Sequence, residues 1–239
     1  MGRRLVILAA IFALAAGSAA RSQEVVPIGP GELGLAVLER PAQPRGSVIL
    51  VSGGDGVLGI QPDGTITRSQ GNQLVRTRSE YAGQGLATLT VDRGVDLGAA
   101  VRYMRRIARP VAIVATSRGT LRTARSLLGA SGASRPDTVV FTSGYYLPGA
   151  GPSTVQDILK SPSRLPPTLV VHNRNDACRE TPPEGVPAIQ AWGGQRVQVV
   201  WIDTNSGGGH PCGPFSPHGF QDADGRVVGT VASHVVSVR

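Results

Sequence analysis

Lysine is almost absent from this 239-residue chain: among its 24 basic residues, Lys160 alone is a lysine. Aromatic residues are scarce too, at 4%. A surface that tracks nucleic acid needs clustered basic side chains interleaved with aromatic planes. Here the arginines are scattered between acids and apolar runs, so the formal charge of +8 reflects an arginine-favouring composition, and nucleic acid is not an expected partner. Glycine (32) and proline (18) are plentiful but follow no period, which excludes a collagen-like chain, and 41% hydrophobic residues exclude a disordered one. No internal repeat and no linker divides the sequence. Beyond the N-terminal segment there is no apolar run approaching the roughly 20 residues that span a bilayer.

Cysteine is limited to Cys178 and Cys212, and their reading depends on the N-terminus. Arg3 and Arg4 form a basic start, Leu5 to Ala16 an apolar stretch, and Ser18-Ala19-Ala20 the small residues that a signal peptidase requires at its cut. Residues 1–20 are therefore expected to be a signal peptide. Residues 21–239 are expected to form a single exported domain, periplasmic or secreted, without a stable membrane anchor after cleavage. In an oxidising compartment a pair of cysteines points to a disulfide rather than to a metal site or a nucleophile. Closing a loop of about 35 residues would stabilise the fold by roughly 3–4 kcal/mol.

Short apolar, β-branched runs alternate with helix-like segments along the remaining chain. Strands are expected at Leu35–Leu38, Val48–Val51, Leu86–Val91, Val111–Ala115, Thr138–Phe141, Thr168–Val171 and Val197–Ile202. Several are apolar on both faces, as in a parallel sheet covered by helices on each side. Helices are expected near Asn72–Ala82, Leu97–Ala108, Thr120–Leu128, Pro187–Trp192 and Val227–Val236. The alternation predicts an α/β fold: a doubly wound, mostly parallel sheet with right-handed crossovers. The stretch between Phe141 and Thr168 is short and rich in Ser and Pro, so any cap is minimal and the site open; whether 143–166 acts as a lid is left undecided.

Chemistry in such a sheet gathers at the carboxyl ends of its strands. The run Val111 to Ala115 leads through Thr116-Ser117-Arg118-Gly119 into a helix, the context of a nucleophile elbow in which residues two before and two after the serine must be small. Ala115 and Gly119 meet that need, although Ala115 stands where the usual spelling has glycine. The strand Thr168–Val171 runs on to Asp176, where a triad acid belongs; Asp203 is its rival, and His172 reads as a packed histidine. The base must follow the acid in chain order, which leaves His210 and His218. His218 is favoured because Gly219 beside it permits close approach, whereas His210 reads as a neighbour of the disulfide. His234 falls inside the last helix and reads as structural. A Cys178–Cys212 bridge would tie the acid loop to the base loop. The strand Val48–Val51 ends in Ser52-Gly53-Gly54-Asp55-Gly56, and Gly54 or Asp55 is expected to offer an oxyanion-hole N–H together with that of Arg118. A phosphate loop is disfavoured, since G-x-x-x-x-G-K-[ST] is absent. Arg118, Tyr145 and Tyr146 are expected near a substrate. None of these residues calls for a cofactor or a metal.

The segments Gly53–Gly56, Asn72–Arg78, Thr116–Thr120, His172–Cys178 with Thr181-Pro182-Pro183, and Cys212–Phe220 together resemble an exported bacterial branch of the α/β-hydrolase superfamily. The resemblance covers Gly34 to Val236, and departs from the branch in a short Asp92–Leu97 segment. It implies Ser117 as nucleophile, Asp176 as acid and His218 as base. The expected activity is that of a serine hydrolase, carboxylesterase-like, cleaving an ester or thioester of a small acyl substrate. Two alternatives stay open: an acyltransferase or peptidase with the same triad, and a silent binding protein on the same fold.

Overall fold

The computed structural model describes residues 22–238; the expected signal peptide lies outside them. Eight strands form one sheet among the described residues: β1 (Ser22–Pro27), β2 (Leu35–Arg40), β3 (Ser47–Val51), β4 (Ala87–Val91), β5 (Val111–Thr116), β6 (Thr138–Thr142), β7 (Thr168–Asn173) and β8 (Val197–Ile202). Their order is β1-β2-β4-β3-β5-β6-β7-β8. The six strands from β4 to β8 in that order pair in parallel, while β1 and β2 add an antiparallel edge.

Every residue of β3, β4, β5, β6 and β7 is buried. Alternation along them divides two cores. Val48, Leu50, Ala112, Val114 and Val140 meet α2 (Arg78–Gly83) and α7 (Asp224–Ser237), including Tyr81, Val227 and Val231. Ile49, Val51, Ile113, Ala115 and Phe141 meet α3 (Leu97–Arg105), α4 (Arg118–Gly129), α5 (Val155–Leu159) and α6 (Val186–Gly193). The sheet is thus doubly wound, as its two-faced apolar strands predict. Each fully buried Val, Leu or Ile contributes roughly 1.5–3 kcal/mol of transfer free energy.

Three local expectations change. The expected helix Asn72–Ala82 is two short helices, α1 (Gln73–Arg76) and α2, because Thr77 leaves the helical region and turns its hydroxyl back to Gln73 O at 2.7 Å. Strand β1 was not foreseen. Nor was α5, although its Thr154/Asp157 capping box was a readable start signal. Within the 143–166 segment, Val155, Leu159 and Leu165 belong to the core that α4 and α6 share.

Candidate active site

Strand β5 ends at Thr116, and α4 begins at Arg118, which leaves one residue for the reversal. That residue is Ser117, at φ 52° and ψ −126°. A side chain rarely adopts this backbone, and holding it there costs on the order of 1–3 kcal/mol. The surroundings over-determine it. Ser117 N donates to Thr142 O at 3.0 Å, and its carbonyl accepts from the Thr120 hydroxyl at 2.7 Å. A Cβ on Gly119 would lie 2.5 Å from Val51 O, and one on Gly53 would lie 2.9 Å from Ser117 Cβ. Only glycines let the early loop, the elbow and the first turn of α4 approach so closely.

His218 lies in a single 3₁₀ turn, Pro217–Gly219, whose carbonyls are anchored from outside. Asn173 Nδ2 donates to Pro217 O at 3.0 Å and Ser143 Oγ to His218 O at 2.8 Å. The imidazole Nδ1 is 3.0 Å from Asp176 Oδ2. That carboxylate is closed off from solvent and also receives Cys178 N–H at 2.9 Å and the Thr181 hydroxyl at 3.3 Å, while His172 Nε2 approaches to 3.4 Å. Burial alone would raise the Asp176 pKa; the hydrogen bonds and charge of His172 and His218 more than offset it, so Asp176 is held below the ordinary carboxylate value. An ionised Asp176 requires Nδ1 of His218 to carry the proton, leaving Nε2 with its lone pair free.

Ser117 and His218 line one cleft of about 250 Å³, together with Gly53, Gly54, Gln73 and Pro214. No hydrogen bond joins Ser117 Oγ to His218 among the described residues; such bonds are often long before substrate arrives. Arg118 N–H, at the first position of α4, is one of the donors that a helix leaves unpaired. Gly54, at φ 64°, borders the cleft. Asp55 does not: its carboxylate turns to Val57 N at 2.9 Å and Arg68 at 3.1 Å.

The other candidates sit elsewhere. Asp203 is exposed and accepts from Asn175 at 2.9 Å, with no hydrogen bond to an imidazole among the described residues. His210 is exposed, with Nδ1 accepting from Cys212 N at 3.2 Å. His234 reaches Thr138, the first residue of β6, at the opposite edge of the sheet. His172 is packed, as expected, yet it also touches the acid. The Cys178–Cys212 disulfide is formed and joins the acid loop to the cleft wall. Asp176, Cys178 and His218 cluster as metal ligands do, but Cys178 has its sulfur in that bridge and the other two bond each other, so they do not fit an ion.

Tyr145 and Tyr146 correct the sequence reading. Both are buried, at 2% and 1% exposure, and neither meets the cleft. The Tyr145 hydroxyl donates to Glu180 and accepts from Arg118; burial and Glu180 push its pKa up to about 12. Tyr146 is core. Sequence reasoning also missed Arg76. Its guanidinium grips Asp224 at 2.7 and 2.8 Å and donates to the carbonyls of Pro214 and Gly219, on both sides of His218. It also overlooked that Gly54–Gly59 spells G-x-G-x-x-G. That fingerprint needs glycines opening a helix, and the next helix begins only at Gln73, so the dinucleotide role has no scaffold here.

A serine on a strained strand-to-helix turn, at the carboxyl edge of a doubly wound sheet with an Asp–His pair beyond it, is a recognisable plan. The fold is that of the α/β hydrolases. No family model and no curated protein matches the sequence. Solved structures share the fold. The esterase domain of a Rhodothermus marinus protein superposes with a TM-score of 0.61 at 17% identity, over 90% of this chain and all of that one. A hyperthermophilic esterase from Pyrobaculum calidifontis gives 0.59 at 17% identity, over 92% of this chain and 87% of that one. A Xanthomonas campestris protein described as an α/β serine hydrolase without lid gives 0.57 at 15% identity, over 91% and 94%.

Proposed function

We propose that this protein is a serine hydrolase that cleaves a carboxylic ester or thioester through an acyl-serine intermediate. The observation that carries the reading is the 3.0 Å bond from His218 Nδ1 to buried Asp176, on an imidazole that shares one cleft with the elbow serine. His218 Nε2 takes the Ser117 proton as Oγ attacks the acyl carbonyl. Asp176 holds the tautomer and stabilises the imidazolium. The N–H groups of Arg118 and Gly54 stabilise the oxyanion. His218 then protonates the leaving alcohol or thiol; water, deprotonated by the same nitrogen, releases the carboxylic acid and frees Ser117. A cleft of about 250 Å³ suits a short acyl or alcohol group.

The proposal includes residues 21–239 as a single domain acting outside the cytoplasm. The disulfide supports that compartment. No helix among the described residues is long and apolar enough to cross a membrane.

Fluorophosphonate labelling with intact-mass readout tests it under oxidising conditions. Single-site labelling that vanishes in Ser117→Ala and slows greatly in His218→Ala is expected. A folded wild-type protein that does not label would overturn the reading.

A further inference from the structure

A second concavity, of about 400 Å³, adjoins the cleft on the far side of the Gly53–Gly56 loop, with Gly54 bordering both. The two differ in charge. Apart from His218, the cleft is lined by uncharged residues. The neighbouring groove is lined by four arginines, Arg93, Arg118, Arg122 and Arg125, against a single acid, Asp55. The spacing 118, 122, 125 places three of them on one face of α4, whose N-terminal end adds its positive dipole. Arg93 reaches across from the loop after β4.

The acids nearby neutralise only part of this charge, at Arg118. Asp55 is already paired with Arg68, and Glu180 pairs with Arg118 at 3.4 Å. Arg122 is held by the carbonyls of Asp92 and Val95, at 3.1 and 2.7 Å, and faces no carboxylate within salt-bridge distance. Burial pulls its guanidinium pKa down to about 10, which leaves it cationic at neutral pH. Arg93 and Arg125 are exposed and have no acidic partner among the described residues. Two unpaired guanidinium forks at the mouth, with a third cation set into the wall, suit an oxyanion that accepts planar, charge-assisted hydrogen bonds.

We infer that this groove is a subsite for an anionic tail, a carboxylate or a phosphate, on the substrate whose scissile carbonyl is held at Ser117. The inference rests on the hydrolase reading for its substrate, but the groove is testable without it. Carboxylate and phosphate tails share the chemistry the arginines recognise.

The experiment compares matched esters that end in a carboxylate, a phosphate or an uncharged carboxamide, with the tail on the acyl part in one series and on the alcohol part in another. In at least one series kcat/KM for an anionic ester should exceed that of its carboxamide twin by roughly tenfold at low salt, the worth of one good hydrogen bond to a charged group. The better of the two anions identifies the tail. The preference should shrink at 1 M salt, where charges are screened beyond about 3 Å. The double variant Arg93→Gln/Arg125→Gln should lose it while the carboxamide rate stays unchanged. Equal rates in both series, or a preference that survives in the double variant, overturns the subsite. If Ser117 fails to label and no ester is cleaved, the hydrolase reading fails by itself. The groove is then judged by titrating adipate monoamide, inorganic phosphate and uncharged adipamide into wild type and double variant. Selective binding of either anion that the double variant loses upholds the groove, and no difference between the two proteins overturns it.

Discussion

His172 and His218 converge on one oxygen: Nε2 of His172 lies 3.4 Å, and Nδ1 of His218 3.0 Å, from Asp176 Oδ2. The two imidazoles differ in duty. His172 Nε2 also meets Thr181 O at 3.1 Å, an oxygen that only accepts, so this nitrogen carries a hydrogen and the ring is a fixed donor. His218 borders the cleft. Asp176 is therefore supported from behind by one histidine while it orients the other.

This support has a pH signature. The folded pKa of Asp176 lies below its ordinary 3.8. Its contribution to stability is thus complete above the unfolded value and is lost as pH falls through the lower folded value. Replacing His172 by Phe removes a donor to the charged carboxylate and leaves Thr181 O without its partner. The Asp176 pKa should rise, and the acid limb of a melting-temperature profile should move to higher pH. An orphaned buried carbonyl costs about 1–3 kcal/mol, so the variant should also be destabilised near neutral pH. An acid limb that stays in place would refute the role given to His172.

Ser117→Gly should separate stability from chemistry. Glycine accepts φ 52° without strain, which relieves about 1–3 kcal/mol, while its added unfolded-state freedom costs about 0.5–1 kcal/mol. The variant should melt at or above the wild-type temperature and take up no fluorophosphonate. Gly119→Ala should do the reverse: a Cβ 2.5 Å from Val51 O pushes α4 off the sheet and lowers the melting temperature. A melting temperature for Ser117→Gly well below that of wild type would contradict the strain argument.

The disulfide has two consequences that reduction tests together. It closes a separation of 34 residues, so its loss should cost about 3–4 kcal/mol by chain entropy. Cys178 N–H also donates to Asp176 Oδ1, and Cys212 borders the cleft, so the bridge fixes both the acid loop and the wall beside His218. A Cys178→Ser/Cys212→Ser variant, still folded at low temperature, should label more slowly than wild type at the same temperature. Unchanged labelling in the folded variant would limit the bridge to global stability.

Much of this was legible in the sequence, for reasons that differ by element. Strands β3, β5, β6 and β7 are two-faced apolar runs, and their hydrophobicity specifies both the element and its place in the sheet's middle. Ser117 and Asp176 were singled out because each follows a strand of that kind, and His218 because Gly219 stands beside it. Strand β1 was not, since it opens with Ser-Gln-Glu at the sheet edge, where water satisfies one side and little apolar surface is required. The break at Thr77 depends on one hydroxyl choosing Gln73 O. Tyr145 and Tyr146 misled because their position after β6 suggested the cleft, whereas tertiary packing turned both inward. Contacts between distant segments, such as Arg76 with Gly219, leave no local signature.

Arg76 is where that invisible part is most open to test. Its fork grips Asp224, at the start of α7, and its remaining donors hold Pro214 O at 3.0 Å and Gly219 O at 2.8 Å, so one side chain pins the loop that presents His218 to α1 and α7. The pair is largely buried, at 17% and 30% side-chain exposure, and removing one partner should cost roughly 2–3 kcal/mol. Lysine keeps the charge but has no fork, so Arg76→Lys should recover only part of that stability. Arg76→Ala and Arg76→Lys should both label at Ser117 more slowly while still folded, because the imidazole spends less time in place. Asp224→Asn separates the two effects: it weakens the grip on α7 but leaves the carbonyl contacts to Pro214 and Gly219, so stability should fall more than labelling rate. If labelling in Arg76→Ala matches wild type below its melting transition, Arg76 serves the fold alone and the loop is positioned by Ser143 and Asn173.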